Sequence, residues 1–178
     1  MASIGLVESY ETRLGFHRFA CDFAKWAERS HEEPEDPDSP VPYYLYCRSI
    51  ELVLKAYLLS QGVSKPVIAS ARLGHSLTKL FSSALDLGLE GLVVVGPKWK
   101  TELALADERY SSKDFEYFTV RFHFDERPGL DSLRAISAAL RAAIKKPCLD
   151  AASGPPSPEV AAKNAEFERK RRRKKSVA

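Results

Sequence analysis

Residues 46–62 read YCRSIELVLKAYLLSQG, and their periodicity decides the fold. Tyr43, Cys47, Ile50, Leu54 and Leu58 recur every three or four positions, which is one face of an α-helix. Leu45, Leu52, Val53, Tyr57 and Leu59 widen that face until most of the circumference is apolar. The pattern predicts a central helix over Val41–Ser60, covered on most sides. Pro42 suits its first turn, where a missing N–H costs nothing. Gly62 suits its C-terminal cap. Three charges interrupt the apolar run. Arg48, Glu51 and Lys55 share one side, and Glu51 precedes Lys55 by four residues, the favourable order for a helical ion pair. Buried charges without partners are expensive, so this stripe requires partners or a water-filled cleft. His75, Arg121, Tyr110, Asp107 and Glu108 are the candidate partners. The stripe then has two readings: a polar pocket for a phosphate or nucleotide, or an internal salt-bridge network that fixes helix register.

Helical spacing also runs from about Ile4 to Arg29. Leu6, Tyr10, Leu14, His17, Cys21 and Ala24 form one line, extended by Phe16, Phe19, Phe23 and Trp26. This aromatic stripe is expected to be core or a dimer seam, with His17 a satisfied core or interface histidine. SHEEPEDPDSP (30–40) has three prolines and five carboxylates and nothing to bury, so it reads as a solvated connection. A short helical turn is expected near Pro66–Ala71. Gly74 breaks the chain, and His75 or Ser76 caps a helix over Leu77–Leu87 that ends at Gly88. GLVVVG (91–96) reads either as a strand, from its valines, or as a loop packed on the core. Lys98–Glu108 is weakly amphipathic through Trp99, Leu103 and Ala106. DFEYFTVRFHF (114–124) alternates aromatic and polar residues, which predicts an extended segment or hairpin presenting Arg121 and His123 on one side. Asp131 is placed to cap a last helix over Ser132–Lys145, with Pro147 as its stop.

The chain has 178 residues, 44% of them hydrophobic, enough for one domain with a proper core and little more. No charge-free apolar stretch is long enough to span a membrane. The first residues reach Glu8 and Glu11 without a basic start, unlike a signal peptide. Cys21, Cys47 and Cys148 are scattered and form no metal-ligand spacing, which points to a reducing cytoplasm and to no bound metal or cofactor.

Charge is uneven. Residues 163–175 hold eight basic and two acidic side chains, a balance of +6 against a net +3, so the remainder carries −3. The attraction for nucleic acid is therefore concentrated in Arg169, Lys170, Arg171, Arg172, Arg173, Lys174 and Lys175. The alternative for these residues is a solubilising terminus. From Cys148 onward little can be buried, so 148–178 is expected to be a disordered basic tail with at most a frayed helix near Glu159–Lys170.

RSIELVLKAYLLSQG followed by GHSLTKLFSSALDLG resembles the HEPN superfamily, the higher eukaryote and prokaryote nucleotide-binding domains. It is similar to a bacterial branch whose second helix reads roughly aIELxLKAxL and whose next helix opens GHxLxxL. YFTVRFHF is similar to the aromatic-Arg-aromatic segment that follows in many members. The resemblance covers about Pro42 to Ile144. It implies an antiparallel four- or five-helix bundle, commonly a homodimer, in a family of RNA-cutting toxins, antiphage proteins and partners of nucleotidyltransferases. One departure bears on activity. The family ribonucleases carry Arg, four to six residues, then His on the last helix. Here Arg13–His17 encloses three residues, Arg29–His31 one and Arg72–His75 two, none of them four to six, and SLRAISAALRAAIKK has no histidine.

The sequence thus predicts an all-α domain over 1–147, HEPN-like, with a short aromatic hairpin and a basic tail. Its expected role is non-catalytic binding of a nucleotide, a nucleic acid such as RNA, or a protein partner encoded nearby, as a homodimer in a toxin–antitoxin or phage-defence setting and without a membrane. Arg48, Glu51, Lys55, His75 and Arg121 form the candidate binding site. The rivals are an atypical metal-independent ribonuclease using that cleft, with His75 and Arg121 as catalytic candidates, and a purely structural interaction protein.

Overall fold

A computed structural model describes residues 12–33, 39–70, 73–116, 127–150 and 156–175. Arg13–Glu32 forms α1, capped by Thr12, whose hydroxyl accepts from the Gly15 N–H at 3.1 Å. Its buried positions are Ala20, Ala24 and Ala27. Small side chains on that ridge let α1 lie along the next helix, Val41–Ser60 (α2). The large residues of the expected aromatic stripe divide differently. Phe16 and Phe23 lean on the core, while Leu14, Phe19 and Trp26 stand out from it, Trp26 at 55% exposure. Of the bulky residues expected as core or a dimer seam, Phe16 and Phe23 are the ones that pack on the core: the alanine ridge sets the distance between helices, and the bulky side chains flank it.

α2 is the central helix, with the boundaries its pattern predicts. Every residue from Ser49 to Leu58 is buried. Pro42 occupies its first turn, and Gly62, at φ +84°, ends it. The N–H of Val63 reaches the Leu58 carbonyl and that of Gly62 reaches Leu59, both at 3.0 Å, the paired bonds of a Schellman cap. A four-residue helix, Lys65–Ile68 (α3), follows.

Leu77–Asp86 (α4) begins at Ser76, which settles the cap between the two expected candidates. GLVVVG forms no strand. A 3-10 turn covers Leu89–Gly91, then a loop presses Val93 and Val95 on the core and leaves Val94 90% exposed. Trp99–Ser111 (α5) and Leu130–Asp150 (α6) complete the bundle. α6 packs on α1 and α2, and α4 and α5 pack on α2 and on each other. Pro147 lies inside α6 rather than stopping it. A proline removes one helical hydrogen bond, but here Cys148 is fully buried and its carbonyl accepts from Arg13 Nε at 2.9 Å, which holds the last turn in place.

Pro158–Lys175 (α7) is helical, where a disordered tail with at most a frayed helix near Glu159–Lys170 was expected. Ser157 starts it by accepting from Ala161. Val160 is buried, and Asn164 straddles the α2–α3 turn: its amide donates to Gly62 O and its carbonyl accepts from Ser64 N, both at 3.0 Å. One apolar and one amide side chain thus dock a helix whose composition shows almost nothing to bury.

The described residues form seven α-helices and no strand. The hairpin expected over 114–124 lies largely outside them; its first part, through Glu116, forms turns, with Phe115 buried and stacked on Tyr43 at 5.7 Å between ring centres. None of the described helices is long and apolar enough to cross a membrane.

Candidate functional site

Glu51 is fully buried at the middle of α2, and donors surround its carboxylate. Oε1 accepts from Lys55 Nζ at 2.6 Å and from His75 Nδ1 at 3.1 Å. Oε2 accepts from Arg48 Nη1 at 3.0 Å and from the Tyr110 hydroxyl at 2.5 Å. A carboxylate offers about four acceptor positions, so all are in use. Three elements supply the donors: α2 gives Arg48 and Lys55 at i−3 and i+4, the turn before α4 gives His75, and α5 gives Tyr110. Burial alone pushes the Glu51 carboxyl up. Arg48, Lys55 and the hydrogen bonds from Lys55 and Tyr110 outweigh it and hold the group below the usual carboxylate range. Burial, then the neighbouring Glu51 charge, pushes the Tyr110 phenol far above its ordinary value. At neutral pH the arrangement is therefore a carboxylate, two fixed cations and a neutral phenol. A carboxylate only accepts, so His75 presents a protonated Nδ1 to it.

The cluster is graded in exposure. The Glu51 side chain is sealed, that of Lys55 is nearly so, that of Arg48 is about a third open, and that of His75 is 69% exposed. Arg48 also lies over the Phe23 ring of α1, 5.9 Å from its centre. The surface face of the site is thus His75 and the edge of Arg48.

Asp107, one of the carboxylates expected to meet this cluster, has a different task. Its Oδ1 accepts from Leu77 N at 2.7 Å, and its Oδ2 accepts from Ser76 Oγ at 2.7 Å, Thr78 Oγ1 at 2.5 Å and Thr78 N at 3.3 Å. It caps α4 from a neighbouring helix, and favours the positive end of that helix dipole. Ser76 meanwhile accepts from Lys79 N, as an N-cap does. Glu108 is exposed. GHSLT therefore divides its work: His75 turns to Glu51, while Ser76 and Thr78 turn to Asp107.

The structure brings together Arg48, Glu51, Lys55 and His75, and adds Tyr110. Arg121, with His123, lies outside the described residues. His17 is satisfied as expected, 2.9 Å from the Arg141 carbonyl through Nε2. Sequence reasoning missed a second polar group on α1, α2 and α6. Arg134 pairs with Glu28 at 2.6 Å and Glu32 at 3.2 Å, and the Tyr46 phenol, fully buried, is pushed up by burial and by Glu28. The i,i+4 spacing of Glu28 and Glu32 was the available signal; their partner lies a hundred residues away. Among the described residues no group of three or more His, Cys, Asp or Glu side chains is arranged to hold a metal ion.

Comparison with family models, curated proteins and solved structures finds no match.

Proposed function

We propose that this chain is a HEPN-like helical module that binds nucleic acid through α7 and performs no chemistry on it. The observation that carries the reading is α7 itself: a helix rooted on the body by Val160 and Asn164 that continues through the basic run Arg169–Lys175. The basic run thus continues a helix whose root is docked. Phosphate contacts by Lys and Arg supply salt-dependent affinity without base specificity.

The buried cluster supports a binding module over an enzyme. Every acceptor position of Glu51 is engaged within the protein, and both oxygens of Asp107 accept from the start of α4. A general base needs an acceptor that substrate can reach. The same engagement favours an extended polyanion on α7 over a nucleotide held in the cluster. The HEPN-like reading draws support from convergence of its motif: Glu51 and Lys55 of IELVLKA meet His75 of GHSL on one carboxylate oxygen. Self-association as a homodimer belongs to the same reading, supported by the exposed Leu14 and Trp26 on α1. A second reading rests on the exposure of His75 beside Arg48, the one imidazole–guanidinium edge in the cluster open to substrate: an atypical ribonuclease.

The test is a labelled single-stranded RNA incubated with the full chain, with His75→Ala, and with a variant whose seven basic residues 169–175 are glutamine. Binding should be lost only in the glutamine variant, and no chain should cleave. Cleavage that disappears in His75→Ala establishes the ribonuclease instead.

A further inference from the structure

The Glu51 cluster leaves one ring nitrogen facing outward. His75 stands in the turn before α4, and its side chain is largely exposed. Its Nδ1 lies 3.1 Å from Oε1 of the sealed Glu51 carboxylate. A carboxylate only accepts, so the ring proton sits on Nδ1 and the lone pair of the neutral ring sits on Nε2. The other described histidines differ. His17 has a neighbour on each ring nitrogen, the Arg141 carbonyl and the Cys21 thiol. His31 turns Nε2 toward Asp131 and buries Nδ1. Among the described residues, His75 is thus the histidine that pairs a fixed tautomer with an open nitrogen.

This arrangement prepares Nε2 to attack an electrophile. A hydrogen bond from Nδ1–H to a carboxylate makes the ring more basic and stabilises the imidazolium formed when Nε2 gains a bond. Lys55, Arg48 and Tyr110 hold the same carboxylate, so it stays aimed at the ring. Charge selects the electrophile. Arg48 and Lys55 are two fixed cations on one anion, and the Arg48 side chain is partly open to solvent. An anionic reagent is drawn to such an edge. A guanidinium there suits a phosphoryl group.

We propose that His75 is a phosphoryl-acceptor site, in which Nε2 takes the phosphoryl group of a small phosphoryl donor while Glu51 acts as positioning residue. With phosphoramidate as donor, the Nε2 lone pair forms the new N–P bond as the donor's own P–N bond breaks. The donor nitrogen, already protonated, leaves as ammonia. The ring becomes an imidazolium whose Nδ1 proton stays on the Glu51 bond. The site is separate from α7 and does not depend on nucleic-acid binding.

The test is incubation of the full chain with phosphoramidate at mildly alkaline pH, where exposed imidazoles are neutral. Intact mass follows the rate, peptide mapping gives the residue, and phosphorus NMR distinguishes Nε2 from Nδ1. His75 should react on Nε2 about tenfold faster than N-acetylhistidine amide and than the other histidines of the chain. His75→Gln should lose this fast phase, with a thermal melt verifying its fold. Glu51 is left intact because its loss also strips Arg48 and Lys55. A His75 rate no greater than that of N-acetylhistidine amide, even labelling of all the histidines, or transfer to Nδ1 overturns the proposal.

Discussion

Tyr110 donates its phenol proton to Glu51 Oε2 at 2.5 Å, joining α5 to the centre of α2 across 59 residues of chain. With Lys55, Arg48 and His75 on the remaining acceptor positions, a buried charge becomes tolerable in an apolar helix. Tyr110→Phe removes one charge-assisted bond and should cost about 1–3 kcal/mol. Glu51→Gln removes the charge that Arg48 and Lys55 share and should cost about 3–5 kcal/mol. Urea denaturation measures both. A near-neutral Glu51→Gln would mean that the cations find water instead, and that the site is open.

The same cluster sets the pH dependence of stability. The Glu51 carboxyl is held below its unfolded value of about 4.3. Between the two values the unfolded chain binds the extra proton, so stability rises with pH there. This contribution is complete above the unfolded value and is lost as pH falls through the folded one. Tyr110 acts with the opposite sign. Its raised value makes its contribution complete below about 10 and lost as pH rises beyond that. Thermal melts across pH should show both limbs. Glu51→Gln should flatten the acid limb, and Tyr110→Phe the alkaline one.

Asp107 joins α5 to the start of α4 through four donor contacts on Ser76, Leu77 and Thr78. Asp107→Ala should cost about 3 kcal/mol, as a lost charge-assisted cap, and Ser76→Ala about 1 kcal/mol. The double variant should cost less than the sum, because the two side chains serve one cap. Full additivity would place Ser76 and Asp107 in separate roles.

The root of α7 rests on Asn164 and Val160. Asn164→Ala removes two hydrogen bonds to the α2–α3 turn. Amides of 158–175 should then exchange with solvent faster, while those of Ile50–Leu58 keep their protection. Uniform acceleration would show that α7 is part of the core rather than a docked satellite.

What was legible in the sequence divides by range. α2 could be read to the residue because its apolar period, Pro42 and Gly62 are all local. The Glu51–Lys55 pair was legible for the same reason, and Tyr110 stood among the expected partners. Asp107 was grouped with Glu51 because nothing local tells which helix start a distant carboxylate caps. Pro147 read as a stop because the burial of Cys148 depends on α1 and α2. The aromatic stripe of α1 outweighed its alanines by size, yet close helix approach is decided by the small residues. α7 read as tail because two anchoring side chains barely alter its composition. Arg121, placed in the site by its aromatic neighbours, lies outside the described residues.

The central claim, binding of nucleic acid through α7, is tested most directly by a salt series. Anisotropy of a labelled single-stranded RNA gives the binding constant at each salt concentration, for the full chain and for the variant with glutamine at 169–175. Seven phosphate contacts on a single strand correspond to a slope of about −5 in log affinity against log salt. The account expects a steep slope near that value for the full chain, and its collapse in the variant. An equal slope in both chains would contradict it and move the binding surface to the helical body.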